Sequence, residues 1–132
     1  MSLANYFENV EGIGILGTAD ADGKVDLAIY ARPHVLDEQS VAFLMRDRLS
    51  HKNLASNPQA AYLFLERGPG YKGLRMSLTK TQEESDPRKI EAVRRRNHPN
   101  EDLTDEAVFL VHFTVQEVRQ LVGDRLVVES VL

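Results

Sequence analysis

Val41-Ala-Phe-Leu-Met-Arg-Asp-Arg-Leu-Ser-His-Lys-Asn-Leu-Ala-Ser-Asn-Pro58 is the stretch on which the reading of this chain turns. The apolar run Val41 to Met45 has the length and continuity of a buried strand. A short polar connection, Arg46 to Leu49, follows it. Ser50 then stands where a helix N-cap belongs, and Asn57-Pro58 ends the helix. Arg46, Arg48, Ser50, His51, Lys52 and Asn53 all gather around that helix start. A helix N-terminus presents free backbone N–H groups and a partial positive charge. With a hydroxyl and cationic donors beside it, such a corner makes a socket for a phosphate.

Working outward, Ser2 caps a first helix over residues 3–10, whose Leu3, Tyr6, Phe7 and Val10 share one face. Gly12 and Gly14 end it. Residues 13–19 read as a strand, Asp20-Ala-Asp-Gly-Lys24 as a turn, and residues 25–35 as the returning strand of a hairpin. A turn at 37–39 precedes the strand 41–45. Residues 60–66 form a fourth strand, and Arg67-Gly-Pro-Gly70 interrupts the chain. The alternation from Tyr71 to Thr81 predicts a long strand. Asp86-Pro87 is a strong helix start, with Asp as cap and Pro at the first helical position, and that helix runs to about Asn97-His98-Pro99. An acidic loop at 101–106 leads into a last strand, 107–115. Residues 118–122 read as one helical turn before Gly123. The apolar tail, 126–132, is expected to pair with a strand or pack on another subunit. Many short antiparallel strands without βαβ alternation argue for a small barrel rather than a dinucleotide fold.

Composition narrows the function classes. The 132 residues carry a net charge of −4 and contain no cysteine. One domain spanning 1–132 is expected. Disulfides, thiolate catalysis and Cys-based metal sites are excluded. The N-terminus lacks the basic and long apolar regions of a signal peptide, and no apolar run reaches membrane-spanning length. A cytoplasmic protein with no membrane partner is the expectation. The basic residues Arg88, Lys89, Arg94, Arg95 and Arg96 are flanked by acidic ones, which suits a salt-bridged helix; no nucleic-acid partner is expected. The four histidines, at 34, 51, 98 and 112, share no metal-ligand spacing, so no metal site is predicted.

The order of these elements resembles the flavin-binding split-barrel family named for pyridoxamine 5′-phosphate oxidase. The opening hairpin Gly12-Ile-Gly-Ile-Leu-Gly-Thr-Ala-Asp-Ala-Asp-Gly-Lys24, the second strand Leu27-Ala-Ile-Tyr-Ala-Arg32, and the strand leading to Ser50-His-Lys-Asn53 and Asn57-Pro58 carry the resemblance. The last of these is similar to the family's Ser-Arg-Lys followed by Asn-Pro, with His51 in place of Arg. The resemblance implies a mainly β protein: a six-stranded antiparallel split barrel of Greek-key type with about three peripheral helices. It implies a homodimer with flavin mononucleotide (FMN) bound non-covalently at the subunit interface. The flavin ring would lie along Ala28, Ile29, Tyr30, Ala31 and Arg32, with Arg32 near the pyrimidine side. Met45 would sit close to the ring or ribityl chain. Arg46, Ser50, His51 and Lys52 would hold the phosphate, and Lys72 would approach from the same or the partner chain.

The implied activity is that of an FMN-dependent oxidoreductase meeting a small-molecule electron donor or substrate. The segment with which the oxidase grips a pyridoxal-type substrate has no match up to Leu132, so flavin binding carries over and that reaction does not. No side chain stands out as acid, base or nucleophile. The alternative is a non-catalytic carrier on the same fold, binding a flavin, a deazaflavin or haem. The bland readings weigh against single residues: Ser50 to Asn53 as an ordinary capped surface helix, Arg32 as a strand-end arginine, Tyr30 as a packed strand aromatic.

Overall fold

The computed structural model of the chain describes residues 2–97 and 108–127. In order these are α1 (Leu3–Asn9), β1 (Gly12–Ala19), β2 (Val25–Ile29), β3 (His34–Asp37), β4 (Ser40–Arg46), α2 (Leu49–Ser56), β5 (Gln59–Glu66), β6 (Gly73–Glu84), α3 (Pro87–Asn97) and β7 (Val108–Gln120). The strands form one antiparallel sheet in the order β2-β1-β5-β6-β7-β4-β3. It has seven strands where six were expected, and it is not closed.

The extra strand comes from the stretch 25–35. Instead of one strand it is two, β2 and β3, on opposite edges of the sheet. Pro33 has no N–H to give a ladder, which favours a break there. The intervening residues 30–33 also dictate the curvature. Ile29 and His34 are five Cα steps apart, a reach of at most about 18 Å. Seven flat strands at ordinary spacing would hold the edge strands about 29 Å apart. The sheet must therefore curl until its two edges face each other, which produces a split barrel.

Two anchors hold this crossover. The Tyr62 hydroxyl, on β5 inside the barrel, lies 3.3 Å from the Tyr30 carbonyl and 3.1 Å from that of Ala31 and donates there. Arg32 Nη1 donates to the carbonyls of Phe7 and Val10 at 2.8 and 2.9 Å, satisfying acceptors that the end of α1 leaves open. Gly14 is required beside them: a Cβ on it would fall 1.9 Å from the Tyr62 hydroxyl and 2.5 Å from the Tyr30 carbonyl.

The concave face holds the core. Leu16, Val41, Phe43, Met45, Tyr62, Phe64, Leu74, Met76, Leu78, Val111 and Phe113 alternate inward from five strands, and α1 seats Leu3, Tyr6 and Phe7 against them. The rings meet edge to face, with Phe7 to Phe64 centroids 5.4 Å apart and Phe43 to Phe113 5.8 Å. Ser2 caps α1 as predicted, its hydroxyl accepting from Asn5 N at 3.1 Å. Asp86 does the same near the start of α3, accepting from Arg88 N at 2.9 Å. On α3 the ion pairs Lys89–Glu84 and Arg94–Glu91 match the salt-bridged helix read from the charge pattern.

Two further expectations change. Residues 118–120 continue β7 rather than forming a helical turn, because Val118, Arg119 and Gln120 keep their register with Met76, Arg75 and Leu74 of the long β6. The start of the apolar tail pairs with a strand: Leu126 bridges Arg119, and Val127 N donates to the Val118 carbonyl at 2.7 Å. The acidic loop 101–106, His98 and the tail beyond 127 lie outside the described residues. Among the described residues no helix is long and apolar enough to cross a membrane.

Candidate functional site

A chamber of about 350 Å³ opens where β2 and the crossover face the β4–α2 corner. Asp26, Ala28, Ile29, Tyr30 and Ala31 form one wall. Leu44, Met45 and Arg46 at the end of β4, Arg48, Leu49 and Ser50 at the start of α2, and Val108 of β7 form the rest. The volume lies in the range of small-molecule sites. Asp26 apart, its wall is apolar toward β2, and it is cationic toward α2, where the first N–H groups of an eight-residue helix lack intrahelical partners.

The structure thus brings together Ala28, Ile29, Tyr30, Ala31, Met45, Arg46 and Ser50 of the predicted site. Four others stand elsewhere. Arg32 is turned away to the end of α1, as described above, where helix carbonyls claim its guanidinium. His51 is bound at both ring nitrogens, Nδ1 to Asp47 at 3.0 Å and Nε2 to Glu83 at 2.8 Å, and its ring stacks on Phe109 at 4.2 Å. It ties α2 to β6 and β7 and does not line the chamber. Lys52 lines a second, adjoining space of about 240 Å³. Lys72 is exposed in the β5–β6 loop, its carbonyl accepting from Glu66 N at 2.8 Å, and lines neither space in a single chain.

Ser50 corrects the capping expectation. The N-cap of α2 is Arg48, in extended conformation and without a side-chain cap bond. Ser50 lies inside the helix and is only 5% exposed. Its hydroxyl instead partners the phenol of Tyr30. Tyr30 is half-buried in the crossover, and Ser50 is the hydroxyl that α2 brings within reach of its phenol. Burial pushes the Tyr30 pKa above its ordinary 10.0, outweighing the Ser50 bond and Arg48, which both act to lower it. Tyr30 is therefore a neutral phenol at physiological pH. Asn53, also buried, donates to Thr18 Oγ1 at 3.1 Å and pins α2 to β1.

Asp26, Leu44, Arg48, Leu49 and Val108 were not among the predicted site residues. Asp26 was recoverable, since it shares a strand face with Ala28 and Tyr30 at a spacing of two. Arg48 stands beside Arg46 at the helix start. Val108 carries no local signal, because only the β4–β7 pairing of Arg46 with Val108 delivers it. Among the described residues no three His, Asp or Glu side chains group to hold a metal ion.

No protein-family model and no curated protein matches this chain. Solved structures do. An FMN-binding protein from Syntrophomonas wolfei subsp. wolfei superposes with a TM-score of 0.76 at 11% identity, covering 94% of this chain and 86% of that one. A structure from Lactobacillus delbrueckii, named as a candidate pyridoxamine 5′-phosphate oxidase, gives a TM-score of 0.65 at 20% identity, covering 89% of each chain. An F420 reductase gives 0.68 at 14% identity, covering 87% of this chain and 94% of that one. At these identities the likeness establishes the fold, which is that of the pyridoxamine 5′-phosphate oxidase-like split barrels.

Proposed function

We propose that this protein is an oxidoreductase that binds FMN non-covalently and works as a homodimer. The observation that carries the reading is the chamber itself. Its flat apolar wall along Ala28 to Ala31 suits a planar heteroaromatic ring, and its opposite end collects Arg46, Arg48, Ser50 and the first amides of α2, a donor set for a phosphate monoester. The likeness to an FMN-binding protein supports the same cofactor class. When bound, the flavin supplies the redox chemistry. The chain's own residues bind and orient. Tyr30 and Ser50 hold each other in place on the wall, the arginines neutralise the phosphate, and the buried Met45 closes the floor.

The dimer reading rests on exposed apolar surface. On the outer sheet face Val25, Leu27 and Ile29 of β2 are 72–76% exposed and Ile13 of β1 is 55% exposed. Register sets Ile15 between Ile29 and Leu63, and Ile13 beside Leu65, so the patch is continuous over three strands. Such patches mark interaction sites. Ile29 also lines the chamber, as does Leu49, itself 53% exposed, so a second copy seated here would cover the mouth.

A deazaflavin is the second reading, favoured by the likeness to an F420 reductase. Absorbance of the loaded protein separates the two. The direct test compares FMN with riboflavin, which lacks only the phosphate. Arg46→Ala/Arg48→Ala should weaken FMN by roughly 2–4 kcal/mol and leave riboflavin nearly unchanged. Equal loss for both ligands, or none, refutes the placement of the phosphate.

A further inference from the structure

Asp47 stands between the two arginines of the chamber's cationic end, yet it does not line the chamber. The local backbone accounts for this. Arg48 N donates to the Arg46 carbonyl at 2.8 Å, closing a three-residue turn with Asp47 at its apex. Arg46 and Arg48 both line the chamber, while the apex side chain leaves in another direction and is 67% exposed. There it meets His51, four residues on, whose Nδ1 lies 3.0 Å from Asp47 Oδ1.

His51 is held from its other side as well. Nε2 lies 2.8 Å from Glu83 Oε2, and the ring stacks on Phe109 with an interplanar angle of 11°. Glu83 is itself paired with Lys80 at 2.6 Å. The side chains of Asp47, His51, Glu83 and Lys80 thus form one chain of contacts from the β4–α2 turn, through α2, to β6. A carboxylate only accepts, so both contacts of the ring are complete when both its nitrogens carry protons. Neither His51 nor Glu83 lines the chamber, so the chain draws Asp47 toward groups outside it.

This matters because of where Asp47 would go once released. Its backbone lies next to two guanidinium groups, and a carboxylate of the same chain competes with any anion that they bind. We infer that His51 is a positioning residue for the phosphate end of the chamber: by holding Asp47 it keeps a carboxylate away from Arg46 and Arg48 and preserves their attraction for an anionic ligand. This rests on the flavin reading, which sets the phosphate at those arginines. His51 lines no part of the chamber and acts through Asp47.

The test is titration of the full-length protein with FMN and with riboflavin, followed by flavin fluorescence. His51→Leu removes both donors and keeps an apolar side chain against Phe109. It should weaken FMN about fivefold, the worth of one exposed charge interaction, and leave riboflavin within about twofold. Adding Asp47→Asn to that variant should restore FMN affinity, a rescue that a purely structural role of His51 does not give. His51→Arg keeps a cation with several donors between the two carboxylates and should bind FMN like the unmodified protein. Asp47→Asn alone should leave FMN affinity within about twofold, because the carboxylate it removes is already held away. This last variant decides the matter even where His51→Leu fails to fold. An FMN affinity raised about fivefold in Asp47→Asn alone means that the carboxylate acts on the phosphate with His51 in place, and it overturns the inference. Undiminished FMN binding in His51→Leu, equal weakening of FMN and riboflavin, or no rescue by Asp47→Asn overturns it too. Failure of both flavins to bind the unmodified protein overturns the flavin reading beneath it and is distinct from all these patterns.

Discussion

Tyr62→Phe removes one oxygen atom and leaves the ring. Tyr62 is completely buried, so the substitution opens no large cavity and adds no volume. What it removes is the donor shared between the carbonyls of Tyr30 and Ala31, at 3.3 and 3.1 Å. A hydroxyl has one proton, so the pair is worth about one net hydrogen bond, 0.5–1.5 kcal/mol, and the stranded acceptors add part of a desolvation penalty. The expected loss of stability is about 1–2 kcal/mol, or roughly 3–8 °C in Tm for a chain of this size. The same two residues form the chamber wall. If the whole loss falls on the crossover, flavin affinity drops by up to about thirtyfold. Urea denaturation reads the first quantity and flavin fluorescence the second. Tyr6→Phe is the control. It removes a comparable hydroxyl, donating to Glu66 at 2.7 Å, away from the chamber. It should cost stability and leave flavin affinity alone. The reasoning is refuted if Tyr62→Phe matches the unmodified protein in both assays, or if the two variants weaken flavin binding equally.

The remaining predictions concern the dimer and acid stability. Leu27→Glu places a charge in the middle of the exposed apolar face; light scattering should report a dimer for the unmodified chain and a monomer for the variant, with folding preserved, and two proteins of equal mass would refute this placement of the interface. At Glu83 partial burial raises the carboxyl pKa, but hydrogen bonds from Lys80 and His51 outweigh it and hold the group below its ordinary 4.5. A depressed carboxyl contributes stability that is present above 4.5 and is lost as pH falls through the folded value. Glu83→Gln should therefore destabilise the protein at neutral pH and flatten the acid side of its stability profile; parallel pH profiles for the two proteins would contradict this.

The candidate site is legible in the sequence to the extent that its elements are consecutive. The strand 41–45, the basic turn and the helix ending at Asn57-Pro58 lie within eighteen residues, and their periodicity and cap chemistry locate the corner without tertiary information. Ala28, Tyr30, Met45, Arg46 and Ser50 follow from that corner and from the strand resembling a flavin wall. His51 and Arg32 do not, because their surroundings come from distant elements: Glu83 and Phe109 in one case, the end of α1 in the other. Both carry enough donors to serve a ligand or the fold, and only the packed structure reveals which side claims them.

Local and periodic features are readable from residue order alone: where apolar residues alternate, where Ser2 and Asp86 cap helices, and which short stretch bears cations beside a helix start. The tertiary structure decided how residues 25–35 divide. A strand of that length is compatible with its alternation, yet a curled sheet needs its two edges joined by four residues, and Tyr62 and Arg32 hold the break in place. The tertiary structure likewise decided that the cations of the corner separate, Arg46 and Arg48 to one chamber and Lys52 to the next. Successive helical residues point about 100° apart, so the direction each side chain takes depends on the rotation at which α2 docks, and that rotation is set by Ser50 meeting Tyr30 and Asn53 meeting Thr18 across the barrel.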